Sequence, residues 1–348
     1  MKKTDKRLIA LMCIRNFAVI IAVILFFSIF GVNTKSLILS EAMPVTKAGK
    51  NASSAETDGP FLTMEDIIFQ DETDSASFEG ISLPEINIDI DSLRNFDNLK
   101  SMYIIDKRTG MTKELFNVDE FLNADLKIDN DIPGPKVLVF HTHSQEGFAD
   151  SNMIFGLDEG IVGVGSLLCR ILEEDYGIEC IHHEGIYDVV DGHSHILGAY
   201  ERMEPAVTRI LAENPSIQLA IDLHRDGVKE NTHLVTVIDG RPTAQIMFFN
   251  GLSMLNTENG LEPIESLPNP YIKDNLALSF NFQLVANSLY PGFTRKIYLN
   301  AYRYSLHMLP KSALIEIGAQ TNSKEEAMNA AYPLAKIIAS VILEPAAE

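Results

Sequence analysis

Three short apolar runs, each closed by ionisable side chains, limit what this chain can fold into. Val137-Leu138-Val139-Phe140 leads into HTHSQE at 141–146, Leu219-Ala220-Ile221-Asp222-Leu223 leads into His224-Arg225-Asp226, and Ala313-Leu314-Ile315 leads into Glu316. Runs of this length and apolarity suit strands buried on both faces. Between and beyond them, amphipathic patterns predict helices over about 158–175, 196–212 and 274–289, and a last one from Ser323 to Leu343. Further strands are expected at 178–183, 233–238, 244–250 and 295–299. Strands alternating with helices predict a three-layer α/β/α fold around a mostly parallel central sheet. No internal repeat interrupts the pattern.

Groups that follow such strands emerge at one rim of the sheet, where α/β folds keep their sites. His143 and Glu146 follow the first run, His224 closes the second, and Glu316 sits in the third. Two imidazoles and a carboxylate leave the fourth position of a tetrahedral zinc open. A further carboxylate is then available as a base for water activated there. His141 competes with His143 as a ligand, because alternation along a strand puts the two on one face. Glu159, at the opening of the next helix, competes with Glu146, though it also suits the helix N-terminus as a macrodipole charge. Asp222 or Asp226 is placed to accept the second N–H of a ligating His224. Glu316, between Ile315 and Ile317, is costly to bury unless paired or functional, and burial raises its pKa toward that of a general base. Arg225 and Arg295 are candidates for a substrate carboxylate, which a guanidinium matches with two hydrogen bonds. His141, if not a ligand, is a neighbouring or substrate-facing group.

The remaining histidines read as structural. His182, His183, His193 and His195 fall in HHEGIYDVVDGHSH, read as a solvated loop, and His233 and His307 stand singly. Of the three cysteines, Cys13 lies in the N-terminal apolar region, while Cys169 and Cys180 are expected to be buried, unpaired thiols. No CxxC is present, so cysteine-based zinc binding is unsupported. The formal charge of −20 disfavours phosphate backbones, so a nucleic-acid role is not expected.

Ahead of the globular region, Lys2, Lys3, Lys6, Arg7 and Arg15 precede the apolar run from Phe17 to Val32. Counted from Leu8, this stretch is long enough to span a bilayer core of about 20 helical residues. Residues 1–33 are therefore expected to form a cytoplasmic tip and an uncleaved transmembrane anchor, with everything after residue 33 across the membrane. Residues 34–60 read as a flexible stalk, 61–130 as a small acidic N-terminal subdomain, and 131–348 as the catalytic domain.

The motifs KVLVFHTHSQE at 136–146, IDLHRDG at 221–227 and LYPGFTRKIYLNAYRYSLHMLPKSALIEIGAQTN at 289–322 resemble the stage II sporulation protein P family of endospore-forming bacteria. That family is similar in turn to zinc-dependent N-acetylmuramoyl-L-alanine amidases, whose closing V-E-x-G-F-x-x-N-like strand is matched by Ile315 to Asn322, with Ala319 in place of Phe. Ser305 and Leu306 also depart from the family pattern. The resemblance implies a cell-wall hydrolase that cleaves the amide between the muramic acid lactyl group and the stem peptide, with cross-link endopeptidase activity beside it. It implies a zinc cofactor, peptidoglycan as substrate, a membrane-anchored enzyme in the septal space between mother cell and forespore, and stage II sporulation proteins D and M as partners in engulfment. Amidases of the wider group take their carboxylate ligand from the following helix, which would select Glu159. A zinc carboxypeptidase and an inactive wall-binding scaffold are the rival readings.

Overall fold

The computed structural model describes residues 89–344. The expected anchor and stalk, residues 1–60, lie outside the described residues. Among those described, no helix is long and apolar enough to cross a membrane. Seven strands form the central sheet: β1 (Tyr103–Ile105), β2 (Val137–Phe140), β3 (Cys180–His183), β4 (Leu219–Asp226), β5 (Ile246–Gly251), β6 (Ile297–Asn300) and β7 (Ser312–Ala319). Their order is β1-β6-β5-β7-β4-β2-β3. Every neighbouring pair is parallel except β5 with β7. The expected mostly parallel sheet is thus present, with one reversal of direction inside it.

Four long helices cover it: α1 (Ile161–Tyr176), α2 (Ala199–Glu213), α3 (Ile272–Leu289) and α4 (Lys324–Ile342). Alternation along the strands sorts their partners. Val137, Val139, Ile221, Leu223, Ile315 and Ile317 face the core shared with α1, α3 and α4, while Leu138, Phe140 and Ala220 face Met203 and Val207 of α2. This is the three-layer arrangement, with the helices unequally divided between the faces.

Local chemistry sets the helix ends. Gly177, at φ 62°, closes α1 in a left-handed cap, with its N–H donating to Glu173 and that of Ile178 to Leu172, so the chain turns back at once into β3. Ser323 caps α4: its hydroxyl accepts from the Glu326 N–H while the Glu326 carboxylate accepts from the Ser323 N–H.

The separate subdomain expected over 61–130 needs correction in its described part. Tyr103–Ile105 pairs with β6 as an edge strand of the main sheet. Phe116 and Phe121 enter the same core, the Phe121 ring lying 5.4 Å from that of Phe280 in α3. Among the described residues, three hairpins lie outside the sheet: 189–194, 235–244 and 254–263. The first shows that part of the expected histidine-rich loop is paired backbone, and the second divides the run expected at 244–250 between Arg241–Ala244 and β5.

Candidate active site

Register brings the site together. Glu316 of β7 pairs directly with His224 of β4, and Leu314 with Asp222. Residues paired across parallel strands share a face, so Asp222, His224 and Glu316 all lie on the α2 side of the sheet. The chain leaving β2 turns after Phe140 and crosses to the same side. There the His143 ring meets that of His224 at 5.4 Å, edge to face. Glu146 Oε2 lies 3.5 Å from His224 Nδ1 and accepts a hydrogen bond from the Arg225 N–H at 2.9 Å.

The loop is held in this path from several directions. The Thr142 N–H and hydroxyl both donate to Asp222, at 2.9 and 2.7 Å. The Ser144 hydroxyl and the Gln145 N–H donate to the two oxygens of buried Asp188. Arg225 Nε donates to the Gly147 carbonyl, and the Ala149 N–H to that of Asn322. A four-residue strand end thereby presents two polar side chains at a defined place.

Charge in the cluster is concentrated and poorly solvated. Burial opposes a charge on Asp222, but His224 2.8 Å away and the two Thr142 hydrogen bonds outweigh it and bring the carboxyl down to about 2. Burial likewise opposes the charged form of His224, yet Asp222 and Glu146 hold it well above the usual imidazole value. Glu316 is pushed up to about 8, first by burial and then by the charges of Glu146, Asp226 and Asp222, with His224 pulling the other way. His143 is lowered, by burial first and then by His224.

Whether these residues suit a metal can be judged from their atoms. Among the described residues, no three His, Cys, Asp or Glu side chains stand as a group that could hold an ion. His224 is drawn between Glu146 and Asp222 instead. Yet His143 Nδ1 and Glu316 Oε2 are buried and find no hydrogen-bond partner among the described residues. A buried polar atom without a partner costs about 1–3 kcal/mol. The donors at this rim, two imidazoles and carboxylates, are the types zinc takes. The residue set fits the ion in kind.

Two alternative ligands are set apart. His141 stays on the α1 side, fully buried, with Nδ1 2.8 Å from the Leu223 carbonyl and Nε2 2.9 Å from His182 Nε2. The shared face expected for His141 and His143 does not exist, because the strand ends at Phe140 and the turn breaks the alternation. Burial, and after it His182, lowers the His141 pKa to about 3. Glu159 pairs with Lys324 of α4 at 2.9 Å. Of the arginines, Arg225 donates through Nε to the Gly147 carbonyl and through Nη1 to that of Asp226, and Arg295 Nη1 pairs with Asp226 at 2.6 Å.

Sequence reasoning missed the aromatic wall beside the cluster. Tyr200 of α2 packs edge to face on His143 with ring centroids 5.7 Å apart, Tyr304 packs on Tyr200 at 5.3 Å, and Phe249 on Tyr304 at 4.7 Å. Phe249 in turn stacks on Tyr298 at 5.3 Å. Glu204 of α2 ties down the 301–311 segment that carries Tyr304, meeting Arg303 at 2.9 Å and His307 at 3.2 Å. Nothing in the local pattern distinguishes Tyr200 from any other tyrosine of an amphipathic helix.

A family model described as stage II sporulation protein P matches residues 34–339. The stage II sporulation protein P of Bacillus subtilis (strain 168) is 21% identical over 218 residues, which cover 59% of this chain and 50% of that protein. The chain therefore spans about half the length of the curated relative it matches. Among solved structures, the apo N-acetylmuramyl-L-alanine amidase Ami1 of Mycobacterium abscessus aligns with 60% of this chain and 96% of its own, at 14% identity and a TM-score of 0.33. The N-acetylmuramoyl-L-alanine amidase AmiC2 of Nostoc punctiforme aligns with 59% and 96%, at 16% identity and a TM-score of 0.32.

Proposed function

This chain belongs to the stage II sporulation protein P family, and from that premise we propose that it is a zinc-dependent peptidoglycan hydrolase cleaving the amide between the muramic acid lactyl group and L-alanine. The observation that carries the reading is the pairing of Glu316 with His224 in register, with His143 and Glu146 folded against them. His143, Glu146 and His224 would hold the zinc. When bound, it supplies Lewis acidity, polarising the scissile carbonyl and lowering the pKa of water.

The rest falls to the chain's own groups. Glu316 accepts a proton from the attacking water and returns it to the leaving amide nitrogen, a role that favours a carboxyl whose pKa burial has raised toward neutrality. Asp222 holds the ring of His224 and keeps its own charge through His224 and the Thr142 hydrogen bonds. Tyr200 limits the freedom of the His143 ring by packing on it. Cross-link endopeptidase cleavage, anchoring by the N-terminal segment, action in the septal space, and work alongside stage II sporulation proteins D and M complete the proposal.

Digestion of purified sacculi tests it. New free lactyl groups and L-alanine amino termini are expected. Release of C-terminal residues alone would make the protein a carboxypeptidase, and intact sacculi in the presence of zinc would leave it a scaffold.

A further inference from the structure

Two sulfurs lie too close for indifferent neighbours. Cys169 Sγ on α1 and Cys180 Sγ at the start of β3 are 2.7 Å apart, and both cysteines are free. Non-bonded heavy atoms settle at about 3.5–4.0 Å, while a disulfide measures about 2.05 Å. The separation falls between the two. We propose that Cys169 and Cys180 form an intramolecular disulfide that fastens the edge strand β3 to α1, with a low-molecular-weight disulfide as oxidant.

The surroundings hold the two sulfurs in place. The chain between the two cysteines is held by the Gly177 cap, and the Cys180 N–H donates to the Glu173 carboxylate at 3.1 Å. One turn earlier on α1, Ser166 Oγ lies 3.2 Å from His182 Nδ1, so a second contact between the same helix and strand keeps them in register. Cys180 is half-buried and Cys169 buried, which fixes the order of events. The Cys180 thiolate attacks the external disulfide RSSR, forming a mixed disulfide and releasing one RS⁻. The Cys169 thiolate then attacks Cys180 Sγ, forming the internal S–S bond and expelling the second RS⁻. The two protons lost by the cysteines protonate the leaving thiolates, so two protein thiols and RSSR become one protein disulfide and two RSH. Both thiols are unpaired, as expected; the difference is that Cys180 is half-buried and only Cys169 is buried.

The test uses the full chain carrying Cys13→Ser, incubated with an excess of hydroxyethyl disulfide and then alkylated under denaturing conditions. Trypsin cuts after Arg170 and so places Cys169 and Cys180 on separate peptides. Mass spectrometry should find these peptides joined in most molecules, two hydrogens lighter than their reduced sum and separated again by dithiothreitol. In Cys169→Ser the linked pair should be replaced by a mixed disulfide at Cys180. Two separately alkylated peptides after the same treatment of the parent protein, or a mixed disulfide persisting on Cys180 beside a free Cys169, overturns the proposal.

Discussion

Glu316 and His224 stand side by side on adjacent parallel strands, one cross-strand step apart, and His224 pulls against the burial that raises Glu316. His224 favours ionised Glu316, while burial and the surrounding carboxylates oppose it. A group balanced in this way takes up and gives back a proton near neutral pH.

Replacing Glu316 with Gln keeps the shape and removes the base. Peptidoglycan turnover should fall by about 10²–10⁴-fold, with zinc content unchanged by elemental analysis. Near-normal digestion by Glu316→Gln would remove Glu316 from the mechanism.

Asp222 touches both the loop that carries His143 and the ring of His224. Asp222→Asn should weaken zinc binding about 10–100-fold, measured by competition with a chromophoric chelator. Unaltered affinity would mean that His224 is not oriented by this carboxylate, or is not a ligand.

Glu326 links the start of α4 to stability and pH. Burial pushes its carboxyl up, but hydrogen bonds from His233, Asn322 and the Ser323 N–H outweigh this and hold it below its ordinary value of 4.5. A folded-state pKa below the unfolded one stabilises fully above the unfolded value and is lost as pH falls through the folded value. Urea denaturation should therefore show Glu326→Gln to be about 1 kcal/mol less stable than the parent near neutral pH, and the gap should close in acid. A gap that persists there would assign the effect to shape and not to charge.

Gly165 on α1 lies against buried His141 and half-buried His182, and a Cβ there would come within 2.7 Å of both Nε2 atoms. Each ring is held by further contacts, His141 by the Leu223 carbonyl and His182 by Ser166. Gly165→Ala should destabilise the fold by about 1–3 kcal/mol through overpacking, seen as a lower thermal midpoint. An unchanged midpoint would show that the rings shift freely.

The sheet was legible in the sequence because its inner strands are apolar on both faces, so β2, β4 and β7 announce themselves as short runs. The reversal between β5 and β7 was not legible, since Ile246–Gly251 has the same local pattern whichever way it runs and only distant pairing decides its direction. His224 and Glu316 stood out as ionisable groups inside apolar strands. His143 and His141 could not be separated by alternation, because the decisive turn after Phe140 depends on Asp222 receiving Thr142 from another strand. Tyr200 and Asp188 gave no signal, as their importance lies in what packs against them. For Arg225 and Arg295 the charge was visible in the sequence, while the carbonyls and the carboxylate that they meet were not.

Because β5 and β6 run against β7, chain arriving at the sheet shares a rim with chain leaving it. Arg295, just before β6, grips Asp226, the last residue of β4. One side of the rim is thus formed by residues arriving at the sheet, 290–296, and the other by residues leaving it. The arriving segment can therefore change in length or sequence without displacing the strand ends that carry His224 and Glu316, because, among the described residues, the two are joined across the rim only by side chains such as Arg295 and Asp226.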